Sequence, residues 1–442
     1  MSATGPAWPD RKLHFIGVGG AGMSGLALAA FELGAGVTGS DRDRSSYFER
    51  LERAGVELAA GHDRANLPEG AEVVVSSAIA DENPELSAAR EAGLRVVHRS
   101  ELLAELCAGR EVVAVAGTHG KTTTTAMIGW TLRTLGREAA LFVGGEVPGL
   151  GPGGESTNAA WRTTGPVVVE ADESDGSFLR LEPTVAVVTN LEMDHHANWD
   201  GMGSLREAFG EFVSGVPIAV LPADDPATAF LAALAPETLT FDLDGPGPRS
   251  LELKVPGRHN QLNARAAIAA LSGIGIDPDD AAGALAGFPG VARRLEYRGE
   301  MEGVPVYDDY AHHPTEVRAT IEALREIAPG RIIAVFQPHL YSRTQAFAPE
   351  FGAALAGADE VIVTDVYPAR ELPEGRLEGV SGLDVLRETA DRSSGRGAWW
   401  APDLEAADRA VRKLARGSDL VVTIGAGDVS GLAGRLVAEG ER

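Results

Sequence analysis

Short β-branched runs alternate with Ala/Leu-rich helical stretches along almost the whole chain, and this alternation is the tightest constraint on its fold. Runs such as LHFIG (13–17) and EVVAVAG (111–117) are short and uniformly apolar, the pattern of strands buried on both faces. Helical spacing follows, as in SGLALAAFEL, so the repeating unit is a strand and a crossover helix around a parallel sheet. Three blocks succeed one another. The first adds strand candidates at VTGS (37–40), VVVSS (73–77) and RVV (95–97), and fades at ELLAELCAGR (101–110). The second opens at EVVAVAG and holds two Gly/Pro-rich loops, VPGLGPGGES (147–156) and DGPGPRS (244–250). The third opens near FPGVARR (288–294), with strands at VPVY (304–307), IIAVF (332–336), EVIVTDV (360–366) and DLVVTIG (419–425). A length of 442 residues accommodates three α/β domains of unequal size.

Charge narrows the partners. Lys plus Arg is 39 against 64 Asp plus Glu, a formal charge of −25. That field repels phosphate backbones and anionic headgroups, so no nucleic acid and no membrane surface is expected as a partner. A small anion in an amide-lined or locally basic pocket remains compatible. The single cysteine, Cys107, excludes an internal disulfide, a Cys-rich zinc site and an iron–sulfur cluster, and suits a reducing compartment. No apolar run approaches the roughly 18 residues of a membrane span, and the first residues lack a secretion-signal pattern. The expectation is a cytoplasmic protein with small-molecule partners, as a monomer or homodimer.

Two glycine loops carry the chemistry. Gly17-Val18-Gly19-Gly20-Ala21-Gly22 matches G-x-G-x-x-G between a strand and a helix, where backbone amides approach a pyrophosphate closely. Ser40 and Asp41 end the next strand, with Asp41 24 residues after Gly17, the place of a ribose-binding carboxylate. On this loop alone an NAD-dependent oxidoreductase, another nucleoside diphosphate binder and a ligand-free turn all stay open. The second loop, Ala116-Gly117-Thr118-His119-Gly120-Lys121-Thr122-Thr123, is more specific. Its amides can cradle phosphates, Lys121 can neutralise the β/γ-phosphates, and the Thr122 hydroxyl can ligate Mg²⁺. Val115 stands where the strict phosphate-loop pattern has its first glycine, and Lys121 is one of only four lysines.

Two later strands of this block end in polar clusters. One delivers Glu170, then Asp172, Glu173 and Asp175; the other delivers Asn190, Glu192, Asp194, His195 and His196. Strand C-termini of a parallel sheet share one edge with the phosphate loop, so Glu170 and His195 are expected to converge on ATP as metal ligands. Glu173, Asp175 and His196 read as local hydrogen-bonding or surface groups.

The segments FIGVGGAGMSGLA, AGTHGKTTTT, EADESDGSF, TNLEMDHH, GRHNQLNARAA, FPGVARRLE, DDYAHHPTEV, FQPHLYSRT and VTIGAGD occur in that order. Together they resemble the Mur ligase family from about residue 13 to residue 431. AGTHGKTTT and HNxxNA are shared with folylpolyglutamate ligases, whereas GVGGAGMSG, DDYAHHPTE and GAGD resemble the alanine-adding branch and its relative, the murein peptide ligase.

The resemblance implies three α/β domains. They are a Rossmann-like UDP-sugar domain (1–107), a central P-loop ATPase-like domain with a parallel or mixed sheet (108–291), and a Rossmann-like C-terminal domain (292–442) that binds the amino acid and closes on ATP. It implies ATP-dependent joining of L-alanine to the lactyl carboxylate of UDP-N-acetylmuramate through an acyl phosphate, in cytoplasmic peptidoglycan precursor synthesis. The alternative amine is a recycled peptide. By the same resemblance the UDP-sugar lies on Gly17, Gly19, Gly20, Ala21, Gly22, Ser40, Asp41, Ser76 and Ser77. ATP lies on Gly117, Thr118, His119, Gly120, Lys121, Thr122 and Thr123, with Asn263 at the adenine nucleotide and Arg294 and Asp309 reaching phosphate and ribose. Two Mg²⁺ ions are implied, one on Thr122 and Glu170, the second on Glu170 and His195. Tyr310, His312, His339 and Arg343 line the amino-acid and muramate pocket. A guanidinium fork makes Arg343 the choice for the alanine carboxylate, and His312 the group that positions or deprotonates the ammonium. Lys121, Glu170, His195 and His312 are thus the expected catalytic set, while His313, just before Pro314, reads as a cap. Some relatives ligate the second metal with a carbamylated lysine, but this chain has no lysine between 122 and 253.

Overall fold

The computed structural model describes residues 7–194, 199–244, 251–328, 330–369 and 371–440, so the expected ligand His195 lies outside the described residues. The chain divides into two compact units, Met1–Glu252 with Leu262–Phe288, and Leu253–Gln261 with Pro289–Arg442. The first unit contains two sheets.

Its first sheet comprises β1 (Lys12–Ile16), β2 (Gly36–Asp41), β3 (Glu57–Ala60), β4 (Glu72–Val75) and β5 (Val96–His98). All pairs are parallel, in the order β3-β2-β1-β4-β5. Helices α1 (Ala21–Glu32), α2 (Ser46–Arg53), α3 (Pro84–Glu91) and α4 (Arg99–Cys107) connect or follow these strands. Strand order reverses between β1 and β4, the switch point at which such sheets open a crevice, and the first glycine loop leaves β1 there. Cys107 is buried at the end of α4, where burial pushes its thiol up to about 12.

The second sheet holds β6 (Val112–Ala116), β7 (Ala140–Val147), β8 (Thr157–Ala160), β9 (Val167–Glu170), β10 (Val185–Val188), β11 (Ile218–Pro222) and β12 (Glu237–Phe241). Their order is β12-β11-β10-β6-β9-β7-β8, parallel except for the β7–β8 hairpin. The Gly/Pro-rich stretch after Val147 makes that hairpin connection. Every residue of β6 and β10 is buried, as strands covered on both faces should be. Helices α5 (Lys121–Thr134), α6 (Met202–Val213), α7 (Arg258–Gly273) and α8 (Pro278–Leu285) follow in this part of the chain.

The second unit carries the third sheet: β13 (Glu296–Met301), β14 (Val304–Asp309), β15 (Ile332–Phe336), β16 (Glu360–Val363), β17 (Gly397–Trp400) and β18 (Leu420–Ile424), ordered β13-β14-β18-β15-β16-β17. Only β13–β14 is antiparallel. Helices α9 (Pro314–Ile327), α10 (Tyr341–Leu355), α11 (Gly382–Arg392), α12 (Leu404–Leu414) and α13 (Ser430–Gly440) complete it. No helix among the described residues is long and apolar enough to cross a membrane.

A polar knot ties β1, β2 and α3 together. Glu85, fully buried, accepts hydrogen bonds from Ser40 Oγ, from Asn66 Nδ2 at 2.7 Å and from the Asp63 amide at 3.2 Å, with His14 Nε2 at 3.5 Å. Burial favours the neutral acid, but the bonds from His14, Ser40 and Asn66 outweigh it and hold the carboxyl at about 2 instead of 4.5. The folded state therefore binds this proton more weakly than the unfolded chain does. It gains about 3 kcal/mol above pH ~4.5, which is lost as pH falls towards 2. Glu85→Gln is expected to remove that acid-limb dependence and lower neutral-pH stability by about 2–4 kcal/mol, read by urea unfolding at pH 7 and pH 4.

Candidate active site

The second glycine loop grows out of β6. Val115 pairs with Val187 on one side and Glu170 on the other, so the position that lacks the usual glycine belongs to the strand, and the loop begins at Gly117. Two positions admit only glycine. Gly117 (φ +124°) would place a Cβ 2.1 Å from Thr189 Oγ1, and Gly120 (φ +81°) one 2.4 Å from Asn263 Oδ1. The second approach brings the expected adenine contact, Asn263, against the loop.

The loop is stitched to the segment after β10. Thr118 N donates to Asn190 O, His119 N donates to Asn190 Oδ1 at 2.9 Å, and Thr118 Oγ1 donates to Glu192 O at 2.9 Å. The amides of Thr118 and His119 are thus committed within the protein. Those of Lys121, Thr122 and Thr123 precede the first intrahelical bond, Thr124 N to Gly120 O; among the described residues nothing accepts from them, which leaves them for an anion at the positive end of α5.

Lys121 Nζ donates to Gly117 O (2.6 Å), Thr118 O (3.2 Å) and Glu173, whose two oxygens lie at 3.0 and 2.9 Å. Glu173 is 2% exposed, which corrects its reading as a local or surface group. Burial opposes charge on Lys121, but Glu173, Asp172 and Glu170 more than offset it and keep the ammonium protonated. On the neighbouring turn Thr122 Oγ1 donates to Glu170 Oε1 at 2.9 Å, and Glu170 Oε2 accepts from Gly144 N at 2.6 Å. A hydroxyl and a carboxylate this close are hard oxygen donors that suit Mg²⁺.

At the first glycine loop, Gly17 N and Val18 N donate to Ser40 O at 2.8 and 3.0 Å, and Gly19 N donates to Asp41 Oδ2 at 2.8 Å. Asp41 therefore orders the loop itself. The Ser40 hydroxyl is turned inward, engaged by Glu85 and His62. Ser76 Oγ accepts from Ala78 N, while Ser77 Oγ donates to Asp175 Oδ2 at 3.2 Å. One cation here was missed from sequence. Arg99, at the start of α4, donates to Asp172 (3.2 Å) and Asp175 (3.3 Å), and its Nη1 lies 3.3 Å from where a Cβ on Gly22 would stand. Asp172 also bears on Lys121, so acids of one turn face both loops.

In the second unit, Asp309 is buried and spends both oxygens on backbone amides, Leu295 N (2.8 Å) and Ala311 N (2.7 Å). Burial pushes its carboxyl up to about 7, against the pull of Arg294. In this conformation it braces the 293–295 turn. Arg293 and Arg294 both lie over the Tyr310 ring, at 4.9 and 5.2 Å, and Arg294 pairs with Glu316 at 3.7 Å. Arg293 also donates to Gly425 O and Gly427 O, tying down the GAGD loop. His312, His339 and Arg343 come together. The two rings are 6.2 Å apart, Arg343 Nη1 is 3.4 Å from His339 Nδ1, and His339 stacks on Tyr367 at 5.8 Å. Arg343 is 6% exposed. His313 caps α9 in a capping box with Glu316. Asn260 donates to Pro256 O at 2.7 Å, a local bond at the start of α7.

Comparison with known proteins covers all three parts of the chain. Residues 12–111 match the Mur ligase family catalytic domain, residues 115–248 the Mur ligase middle domain, and residues 293–427 the Mur ligase glutamate ligase domain. A UDP-N-acetylmuramate–L-alanine ligase of Rubrobacter xylanophilus is 44% identical over 97% of this chain and 99% of that protein. This chain belongs to the Mur ligase family. Another Mur ligase relative, the UDP-N-acetylmuramate–L-alanine ligase of Mycolicibacterium smegmatis, is 42% identical over 97% of this chain and 95% of its own. Among solved Mur ligases, UDP-N-acetylmuramate–alanine ligase from Thermotoga maritima superposes with a TM-score of 0.81 at 30% identity, covering 97% of this chain and 99% of that one. A murein peptide ligase from Psychrobacter arcticus gives 0.71 at 25% identity, over 97% and 98%.

The Lys121–Glu173 pair predicts a competition. An incoming phosphate must take the ammonium from Glu173. Glu173→Gln is therefore expected to tighten ATP binding about 3–10-fold in calorimetric titration and to lower the nucleotide-free melting temperature, since it leaves a buried charge uncompensated.

Proposed function

We infer that this chain joins L-alanine to the lactyl carboxylate of UDP-N-acetylmuramate at the expense of ATP. The observation that carries the reading is its near-full-length likeness to ligases of that name. The order of the two solved-structure matches favours free alanine over a recycled peptide as the amine.

The chemistry follows from what a carboxylate lacks. Its oxygen is a poor leaving group, so it must first attack the γ-phosphorus, releasing ADP and forming an acyl phosphate. The alanine amine then attacks the acyl carbon, and the tetrahedral adduct expels phosphate. Catalysis is mainly positioning and charge neutralisation. The free amides of Lys121, Thr122 and Thr123 and the Lys121 ammonium would hold the β/γ-phosphates. Thr122 and Glu170 would hold Mg²⁺, which when bound neutralises phosphate charge, and His195 completes the proposed ligand set. His312 would take the proton of the alanine ammonium, and Arg343 would hold its carboxylate. Arg294 would reach phosphate. For Asp309 to reach ribose, its two amide bonds would have to be exchanged. The first glycine loop would hold the UDP diphosphate, with Arg99 the nearby cation, while Asp41 keeps the loop in shape. We place domain limits near 107 and 291 and the reaction in the cytoplasm, a compartment that suits a chain with a single buried cysteine.

Two measurements test this. ADP release should require both UDP-N-acetylmuramate and L-alanine; release with a tripeptide but not with alanine would sink the reading. Lys121→Ala should lower that rate about 10³-fold, and an unchanged rate would remove Lys121 from the mechanism. Arg99→Ala is expected to raise KM for the sugar nucleotide about 10-fold with a smaller change in kcat, in initial-rate assays at saturating ATP and alanine.

A further inference from the structure

Glu316 does more than a helix cap requires. Helix α9 opens on the sequence His312-His313-Pro314-Thr315-Glu316, with His313 as the cap and Glu316 reaching back to it. A capping box needs one bond from the third helical residue to the amide of the cap, and glutamine makes it as well as glutamate. Here a single oxygen, Glu316 Oε2, accepts from the His313 amide at 3.3 Å and from the His312 amide at 3.0 Å, and lies 3.5 Å from His312 Nδ1. The carboxylate therefore grips the backbone and faces the ring of the residue before the cap.

The ring's hydrogen bond says which of its nitrogens is basic. His312 Nδ1 is 3.0 Å from Tyr310 O, and a carbonyl oxygen can only accept. Nδ1 thus carries the hydrogen, and the lone pair of the neutral imidazole is on Nε2. Tyr310 is itself held: its amide donates to Arg293 O at 2.7 Å, and its ring lies under the Arg293 and Arg294 guanidiniums.

Charge decides what Glu316 adds. A ring beyond the N-terminus of α9 meets the positive end of the helix, which opposes an imidazolium. The His339 ring, 6.2 Å from His312, is backed by the Arg343 guanidinium at 3.4 Å, a further cation on that side. Two titratable groups, Asp309 and His259, also face Glu316. Burial pushes Asp309 up to about 7, with its oxygens already spent on amides, and holds His259 down at about 4, uncharged at neutral pH. Glu316 is shared with Arg294, but through its other oxygen, Oε1, at 3.7 Å. Its Oε2 is thus set against the one nitrogen that is protonated in both states of His312.

We propose that Glu316 is a positioning residue for the ligation step: it keeps His312 in the Nδ1–H tautomer and stabilises the imidazolium formed when Nε2 takes a proton from the alanine ammonium. This role rests on His312 being that base. The electron pair of the broken N–H bond stays on the alanine nitrogen, which then attacks the acyl carbon, while Glu316 remains ionised.

Imidazole nitrogen NMR spectra of the full chain, isotope-labelled at histidine, test the geometry without turnover; the His312 signal is the one that disappears in His312→Gln. The neutral ring should show the Nδ1–H tautomer, and in Glu316→Gln its titration midpoint should fall by about 0.5–1 pH unit. Because glutamine preserves the capping bonds, helical circular dichroism should not change. An Nε2–H tautomer, or a midpoint unmoved in Glu316→Gln, would overturn the role even with the ligase activity intact. In initial-rate assays Glu316→Gln should lower kcat about 10-fold at neutral pH and move the acid limb of its pH profile down, with KM for ATP little changed. Combined with His312→Gln it should cost nothing further. A loss confined to KM for ATP, or an equal loss in the His312→Gln background, would assign Glu316 to Arg294 and overturn the proposal. Unchanged turnover in His312→Gln would overturn it through the base reading itself; that failure leaves the spectra as expected, so the two are told apart.

Discussion

Parallel pairing of β6 with β9 and β10 aligns three strand ends, and the rest of the site hangs from that alignment. Val115 opposite Glu170 sets the carboxylate one turn from Thr122, and Val115 opposite Val187 brings Asn190 under the loop. A one-residue slip would turn Glu170 to the other face and bury a charge against the apolar side of the sheet. The uniformly buried β6 is apolar on both faces, its successive side chains alternating between them, and it packs where it is paired. Register in an apolar sheet thus fixes the distances of a polar site.

The same logic sets the charge balance. Lys121 would be an unsupported buried cation in the nucleotide-free protein, and Glu173 together with the carbonyls of Gly117 and Thr118 supports it. The acids of one short turn are divided between two tasks: Glu173 faces the phosphate-loop lysine, whereas Asp172 and Asp175 hold Arg99 at the other glycine loop. A sequence that is strongly acidic overall can therefore still place a cation at each glycine loop.

Much of the architecture was legible because strand–glycine–helix junctions are local. Apolar runs, glycines and a lysine lie within a dozen residues, and period and turn chemistry read such stretches directly. What was not legible depends on distance along the chain. Glu173 looks like Asp172 and Asp175 in the sequence; only the fold decides that it is buried beside a lysine 52 residues away. Arg99 lies 76 residues from Asp175, with nothing local to mark it. Ser40 and Asp41 were read together, yet strand alternation sends the Ser40 hydroxyl inward to Glu85 while Asp41 turns to Gly19. Asp309 shows the opposite difficulty, since its motif says ligand while its present hydrogen bonds say brace.

The buried thiol at the end of α4 has a practical side. Cys107 is the chain's only cysteine, and with its ionisation pushed to about 12 almost none of it is thiolate at neutral pH. A cysteine introduced at an exposed position would then be the one group that maleimide reagents find. Spin or fluorescent labels can be placed in pairs on chosen domains of the otherwise native protein, and the distances between those domains followed as each substrate is added.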